Sequence, residues 1–396
     1  MKPFKLGIDC RFWGITHAGL GRYTRELVLA MVKDLENRNW KMGDFPINLS
    51  LFSQEGTWQK DKNKLRQCRI IKVDIPHYSL REQLEFGRVI DQEKFDLVHF
   101  PHFNLPIRLK TPFVVTIHDL IKHFFRGRSV TTRALPVYWL KHWGYRLVLA
   151  QAVARAYKIF VPSYFVKDQL IVHFPQTKNK IKVTYEGVAE AYRTASLKGE
   201  RENKKLIQKY RLSTPFFVYT GSVYPFKDVP TLLTAFKNLL ERGGKAKPRL
   251  LITCSRSIFW EKLKKDVGKL KLEKEVIFPG QIVDHDLAGF YQMASALVVP
   301  SLMEGFGLPG LEAMASGCPV IASRAGSLPE IYGSAAVYFQ PQNAADLTEK
   351  LSWVLNFSPS QKTKQIGKGR NLAKKYSWEK TAQETLDVYK KILTDF

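Results

Sequence analysis

The chain has 396 residues, of which 45 % are hydrophobic and 25 % charged, the profile of a soluble globular protein with room for two or three domains. It carries 62 Lys and Arg against 36 Asp and Glu, a net charge of +26 that suits nucleic acid, anionic lipid or phosphorylated substrates as partners. No uncharged apolar run reaches the ~18 residues of a membrane span. The Met1–Asp9 start is too polar for a secretory leader, and Cys10, Cys68, Cys254 and Cys318 are scattered without a C-x-x-C pair, which predicts reduced, mostly buried thiols in a cytoplasmic protein.

Strands and helices alternate along the chain, which predicts βαβ units and parallel sheets. The first strand, Lys5–Asp9, runs into a Gly14–Tyr23 turn containing Gly19 and Gly21, and a helix follows over Tyr23–Glu36. A dinucleotide fingerprint is excluded there, because no third glycine follows at the required spacing. Further strands are predicted at Asn48–Phe52, Ile70–Val73, Leu97–Phe100 and Phe113–Ile117, with a helix over Leu80–Ile90. The strand over Phe113–Ile117 delivers His118 and Asp119 to its carboxyl end, where titratable groups serve active sites. From Leu120 to Lys167 there is no acidic residue, and Lys122, Arg126, Arg128, Arg133, Lys141, Arg146, Arg155, Lys158 and Lys167 are interleaved with aromatics. This composition suits an anionic membrane interface, with Leu135, Trp139, Trp143 and Ala150 at helical spacing. Strands at Lys158–Val161 and Lys180–Thr184 end in Val161-Pro162-Ser163 and Tyr185-Glu186-Gly187-Val188 and close the first series.

The Lys-rich stretch Ala191–Ser213 reads as a linker with some helix. A second series follows, with strands at Phe216–Thr220, Leu250–Cys254, Val276–Phe278, Ala296–Val299, Val320–Ala322 and Val337–Phe339. Its helices are expected near Val229–Leu240, Ile258–Leu270, Leu311–Ser316 and Ala344–Leu355. The first of these strands leads through Gly221 and Ser222 to Lys227, a cation at a strand end where a diphosphate could bind. Asp284-His285-Asp286 has the form of a D-x-D metal motif, but Asp284 fits the N-cap of the next helix and no third carboxylate lies nearby. The last helix, from Trp378 to about Leu393, is capped by Ser377 and carries Trp378, Ala382, Leu386, Tyr389 and Leu393 on one face.

The most specific feature is the run from Pro300 to Val320. An apolar strand feeds Glu304-Gly305-Phe306-Gly307-Leu308, and Glu312 lies eight residues after Glu304. Glycines let backbone N–H groups approach a ligand, a helix N-terminus attracts anions, and carboxylates accept from sugar hydroxyls. Glu304 is expected in a surface-facing loop.

The run Glu304 to Val320 resembles the Glu-x7-Glu signature of retaining glycosyltransferases of the group-1, family 4 type. That resemblance spans nearly the whole chain. It implies an α/β architecture of the GT-B fold, with two Rossmann-like doubly wound domains facing across a cleft. Residues 1–195 would form the acceptor-binding domain, 213–376 the sugar-nucleotide domain, and the helix in 377–396 would cross back to the first. Glu304 and the Gly305–Leu308 loop would hold the donor sugar, and Glu312 the ribose. Lys227, in a segment similar to the family's Gly-x5-Lys, would neutralise the leaving diphosphate. The chain departs from the family pattern in carrying Ser222 and Phe226 where relatives have Arg, so Arg256 is the candidate second cation. Gly19 and Gly21 would pass near the donor phosphate or the acceptor, and His118 would lie near the reacting sugar. The activity implied is retaining transfer without a metal or other cofactor, from a nucleotide-diphosphate sugar carrying a mannose-like hexose. The acceptor would be a polyprenyl-diphosphate-linked glycan of bacterial surface polysaccharide, met at the inner face of the plasma membrane. A soluble synthase of the sucrose, trehalose or glycogen type leaves the acid-free basic segment without a use. A nucleic-acid-binding protein would need a reading module that the sequence lacks.

Overall fold

A computed structural model describes residues 2–14, 18–54, 56–127, 130–131, 134–194, 200–210, 212–244, 247–254, 258–280 and 282–394. The chain forms two compact units. The first comprises Met1–Leu120, Arg133–Gly187 and Ser377–Phe396, and the second Ile121–Thr132 and Val188–Tyr376.

Among the described residues, the first unit has strands β1 (Phe4–Asp9), β2 (Lys41–Met42), β3 (Phe45–Ser53), β4 (Arg69–Lys72), β5 (Leu97–Phe100), β6 (Phe113–Thr116), β7 (Ile159–Val161) and β8 (Ile181–Val183). They form one sheet in the order β2-β3-β1-β5-β6-β7-β8, with β4 paired to β3. Every pairing is parallel except that of β2 with β3. Strands β5, β6 and β7 are buried throughout, as expected for a parallel sheet covered on both faces. The Leu80–Ile90 helix begins as a π-helical turn, Glu82–Phe86, and continues as α-helix over Gly87–Glu93.

The second unit has β9 (Phe216–Thr220), β10 (Arg249–Thr253), β11 (Val276–Ile277), β12 (Ala296–Val299), β13 (Val320–Ser323) and β14 (Val337–Phe339). They form an all-parallel sheet in the order β11-β10-β9-β12-β13-β14. Its core joins Phe217, Leu250, Val298 and Ile321 of the sheet to Leu232, Phe236 and Leu347 of the helices on one face.

The stretch expected as a linker belongs largely to the second unit, which begins at Val188. Tyr192 is buried there, its ring 6.0 Å from that of Tyr291 and its hydroxyl donating to Asp284 at 3.0 Å. The Glu200–Lys209 helix packs on the Asp284–Met293 helix. Gly289 permits this approach, since a Cβ there would stand 2.6 Å from Leu206 Cδ1. Apolar side chains at helical spacing thus outweigh the Lys-rich composition that suggested a solvated connection.

The chain returns to the first unit through Trp378–Thr394. The Ser377 hydroxyl accepts from Lys380 N, as its capping role requires, and Trp378, Ala382, Leu386 and Tyr389 are buried. The turn before this helix meets Gly187, where a Cβ would lie 2.2 Å from Trp378 N, and Thr381 Oγ1 donates to Tyr185 O at 2.6 Å.

Candidate active site

Parallel α/β sheets gather their loops at the strands' carboxyl ends, and these loops position ligand-binding groups. In the second unit, β9 and β12 are neighbours. After β9 the chain passes Gly221, at φ +136, and makes a 3-10 turn over Pro225–Lys227. After β12 it enters the Ser301–Gly307 loop. Leu302 N donates to Phe226 O at 2.8 Å, tying the two loops together. The consequence is direct contact between two candidate residues: Lys227 Nζ stands 2.6 Å from Glu304 Oε1, which also accepts from Ser301 Oγ at 2.6 Å. The two side chains are only 19 % and 14 % exposed. Glu304 is therefore a mostly shielded, paired carboxylate, which corrects the expectation of a surface-facing loop.

The loop itself is shaped by a segment to which the sequence drew no attention. Ser323 Oγ donates to Ser301 O, Ser327 N to Glu304 O and Ser327 Oγ to Phe306 O. Tyr332 Oη donates to Gly307 O at 2.6 Å. Gly307, at φ +98, begins the Leu308–Ala315 helix, and a Cβ there would meet that hydroxyl at 2.6 Å. The only sequence signal for this frame was the glycine in Arg324-Ala325-Gly326-Ser327, where a Cβ would fall 2.7 Å from Glu304 N.

Of the remaining candidates in this unit, Ser222 O accepts from the buried Tyr219 hydroxyl at 2.5 Å. Glu312 lies inside the Leu308–Ala315 helix at 1 % exposure. Arg256 lies outside the described residues. Asp284 is not an N-cap: Val283 takes that place, and Asp284 sits in the first turn of the Asp284–Met293 helix. Asp286 Oδ2 is 3.1 Å from Lys209 Nζ. Burial would raise the Asp286 pKa, but Lys209 and His285 bring it below the ordinary carboxylate value.

In the first unit, β6 leads directly to His118. Its Nε2 is 2.8 Å from Pro101 O, after β5, and its Nδ1 is 3.3 Å from Glu186 Oε1, after β8. The edge of Tyr23, from the Ala18–Asn37 helix, packs against it with centroids 4.4 Å apart. The Tyr23 hydroxyl meets Thr116 Oγ1 at 3.2 Å, and burial raises its pKa above that of free tyrosine. Gly19 is exposed, with open space where a Cβ would be, and Gly21 packs on backbone, where a Cβ would stand 2.2 Å from Gly14 O. Glu186 is the functional candidate that sequence reasoning undervalued. It looked like a fold landmark, and only the β6–β8 geometry brings it to His118.

The basic segment divides. Arg128 and Arg133 lie outside the described residues, and Arg126 Nε donates to His123 O in the second unit. The Leu135–Arg155 helix of the first unit buries His142, Val148, Leu149, Ala152 and Val153. Its exposed apolar residues are Val137, Trp139, Leu140, Trp143 and Leu147, with Leu140 at 75 % and Trp143 at 70 % exposure, so that Trp139 and Trp143 of the expected stripe are exposed while Leu135 and Ala150 are half-buried. Lys141 and Arg146 are exposed on the same helix. No described helix is long and apolar enough to cross a membrane.

Two family models match consecutive parts of the chain, glycosyltransferase family 4 over residues 47–192 and glycosyl transferases group 1 over residues 200–371. The chain is 27 % identical over 384 residues to O-antigen chain mannosyltransferase B of Escherichia coli, covering 94 % of this chain and 96 % of that protein. It is 37 % identical over 294 residues to the MMP alpha-(1->4)-mannosyltransferase of Mycolicibacterium hassiacum, covering 71 % and 66 %. The crystal structure of Anabaena HepE in complex with UDP and glucose superposes with a TM-score of 0.72 at 16 % identity, covering 98 % and 100 %. The strand orders, the helix that returns to the first unit and the Glu304–Val320 run therefore have one common explanation: the chain belongs to the group-1, family 4 glycosyltransferases of GT-B fold.

Proposed function

We propose that this glycosyltransferase moves mannose, with retention, from a nucleotide-diphosphate sugar to a lipid-linked glycan during assembly of an O-antigen-like surface polysaccharide. The contact of Lys227 with Glu304 carries the reading, because it sets a cation and a carboxylate side by side at adjacent strand ends. A leaving diphosphate needs the first, and sugar hydroxyls need the second. The Gly305–Gly307 backbone and the start of the Leu308–Ala315 helix add positive potential beside them. Glu312 is assigned to the ribose, and Gly19, Ser222, Leu308 and His118 to the remaining substrate contacts. The leaving phosphate takes the acceptor proton as the new bond forms on the same face. The sugar is supported by the names of the two mannosyltransferases, the surface-polysaccharide setting by the E. coli protein, and the donor class by the UDP bound to HepE. Incubation with mannose-, glucose- and galactose-bearing nucleotides and a lipid-linked acceptor tests it, and mannose transfer with an α product is expected.

Transfer is expected to survive EDTA. Among the described residues no group of three His, Cys, Asp or Glu side chains is disposed to hold a metal, and the Asp284 and Asp286 carboxylates are engaged by Tyr192 and Lys209. Loss of transfer that Mg²⁺ or Mn²⁺ restores would reinstate the D-x-D motif as a metal site.

The acceptor's lipid places the enzyme at an anionic membrane, and the exposed Leu140, Trp143 and Leu147 with Lys141 and Arg146 form the proposed contact. Each cation at such a surface contributes about 1 kcal/mol, and the attraction weakens with salt. The combined substitutions Lys141→Glu, Trp143→Ser and Arg146→Glu are expected to abolish co-sedimentation with phosphatidylglycerol vesicles while donor hydrolysis continues. Sedimentation like that of wild type at low salt would refute this surface.

A further inference from the structure

His118 has an acceptor at each ring nitrogen. The Pro101 carbonyl lies 2.8 Å from Nε2 and the Glu186 carboxylate 3.3 Å from Nδ1. With Glu186 as a carboxylate both partners accept, an arrangement that only the doubly protonated ring satisfies at both nitrogens. We infer that Glu186 is a positioning residue that holds His118 as a fixed imidazolium at the carboxyl edge of the first unit's sheet, so that His118 acts by its charge and not as a base. What that charge does rests on the glycosyl-transfer reading, whereas the pairing is measurable without any activity.

The groups around the ring agree with this state. Glu186 is itself buried, and its oxygen faces the ring from the loop after β8. Asp119, next in the chain, adds a second negative charge. From β5, His99 contributes no competing cation. Burial and the neighbouring His118 charge hold its pKa at about 3, and its nitrogens bond Thr116 Oγ1 at 2.8 Å and Tyr389 Oη at 2.5 Å. Tyr23, from the Ala18–Asn37 helix, stays neutral because burial raises its hydroxyl pKa. Burial of His118 works against its charge, but Glu186, the Pro101 carbonyl and Asp119 outweigh it, and its pKa lies above the ordinary histidine value.

Two consequences follow for the reaction. A ring with both N–H groups engaged has no lone pair with which to take a proton from an acceptor hydroxyl, so that proton passes to the departing phosphate. The imidazolium is present below its raised pKa and is lost as pH rises through it, so His118 limits activity on the alkaline side. A histidine base would limit it on the acid side.

The test is an NMR titration of histidine side chains in the full-length protein, with His118 assigned by its loss in His118→Gln, alongside pH profiles of kcat. Wild-type His118 is expected to titrate above the ordinary value of about 6.5. In Glu186→Gln it should titrate about one unit lower or more, the alkaline limb of kcat should move down with it, and Glu186→Asp should restore much of the shift. A wild-type His118 that titrates at or below about 6.5 overturns the inference even if no Glu186 variant folds. An unchanged His118 titration in folded Glu186→Gln overturns it equally. A protein with the expected titrations but no transfer from any nucleotide sugar keeps the pairing and overturns the glycosyl-transfer reading.

Discussion

Glu304→Ala is expected to lower kcat by about 10²–10³-fold or more, the range for removing one electrostatic contact made at the reacting centre. On the proposed mechanism the lost carboxylate orients the donor sugar as the glycosidic bond to phosphate breaks. The same substitution should also destabilise the second unit. Glu304 is mostly shielded and takes hydrogen bonds from Lys227 and Ser301, both at 2.6 Å, so its removal strands a partly buried cation. A cost of about 1–3 kcal/mol is expected, larger than a surface glutamate would give. Glu304→Gln keeps an acceptor for Ser301 and should recover part of the stability without the turnover. Thermal unfolding and initial rates on the three proteins check this. Near-wild-type turnover in Glu304→Ala would remove Glu304 from the site, and wild-type stability would mean that the Lys227 contact contributes nothing to the fold.

Lys227→Ala is expected to weaken donor binding by about 1.5–3 kcal/mol, roughly 10- to 150-fold in Kd, as for loss of a charge-assisted contact. Lys227 is already paired with Glu304. On the proposed mechanism donor binding redirects it: the diphosphate takes the ammonium group, and Glu304 becomes available to the sugar hydroxyls. Part of the gross attraction is spent on that exchange, and this makes the two residues energetically coupled. A double-mutant cycle with Glu304→Gln should therefore be non-additive. Lys227→Arg should keep the charge and recover part of the affinity, though not the geometry, since a guanidinium fork is not a point charge. Calorimetry with the nucleotide sugar measures all five proteins, wild type included. Unchanged affinity in Lys227→Ala would assign the diphosphate to another cation.

Much of this was legible in the chain because the relevant signals are local. Parallel strands buried on both faces read as short apolar runs, and so Phe216–Thr220, Ala296–Val299 and Val337–Phe339 were located to the residue. Glu304 stood out through the glycines around it, and His118 through its place after an apolar strand. What stayed hidden depends on residues distant in sequence. The Lys227–Glu304 contact joins positions 77 apart, and the His118–Glu186 contact joins positions 68 apart. Neither partner's neighbours announce the other. Composition misled at Ala191–Ser213, where Lys-rich polarity concealed Tyr192 and Leu206, whose burial ties that stretch to the second unit. Periodicity alone also gave only part of the exposed stripe of the Leu135–Arg155 helix, finding Trp139 and Trp143 but not Leu140 and Leu147. An apolar pattern on two faces does not say which face meets the sheet, and burial of Val148, Leu149 and Ala152 decides it.

The central claim is that Lys227 and Glu304 grip a nucleotide-diphosphate sugar. It is tested most directly by measuring nucleotide diphosphate release from GDP-, UDP- and ADP-sugars by the wild-type protein and by Glu304→Ala. The account predicts release from one nucleotide class, with mannose as the sugar, and its loss in the variant. Absence of release from every donor, or equal release by both proteins, would contradict it.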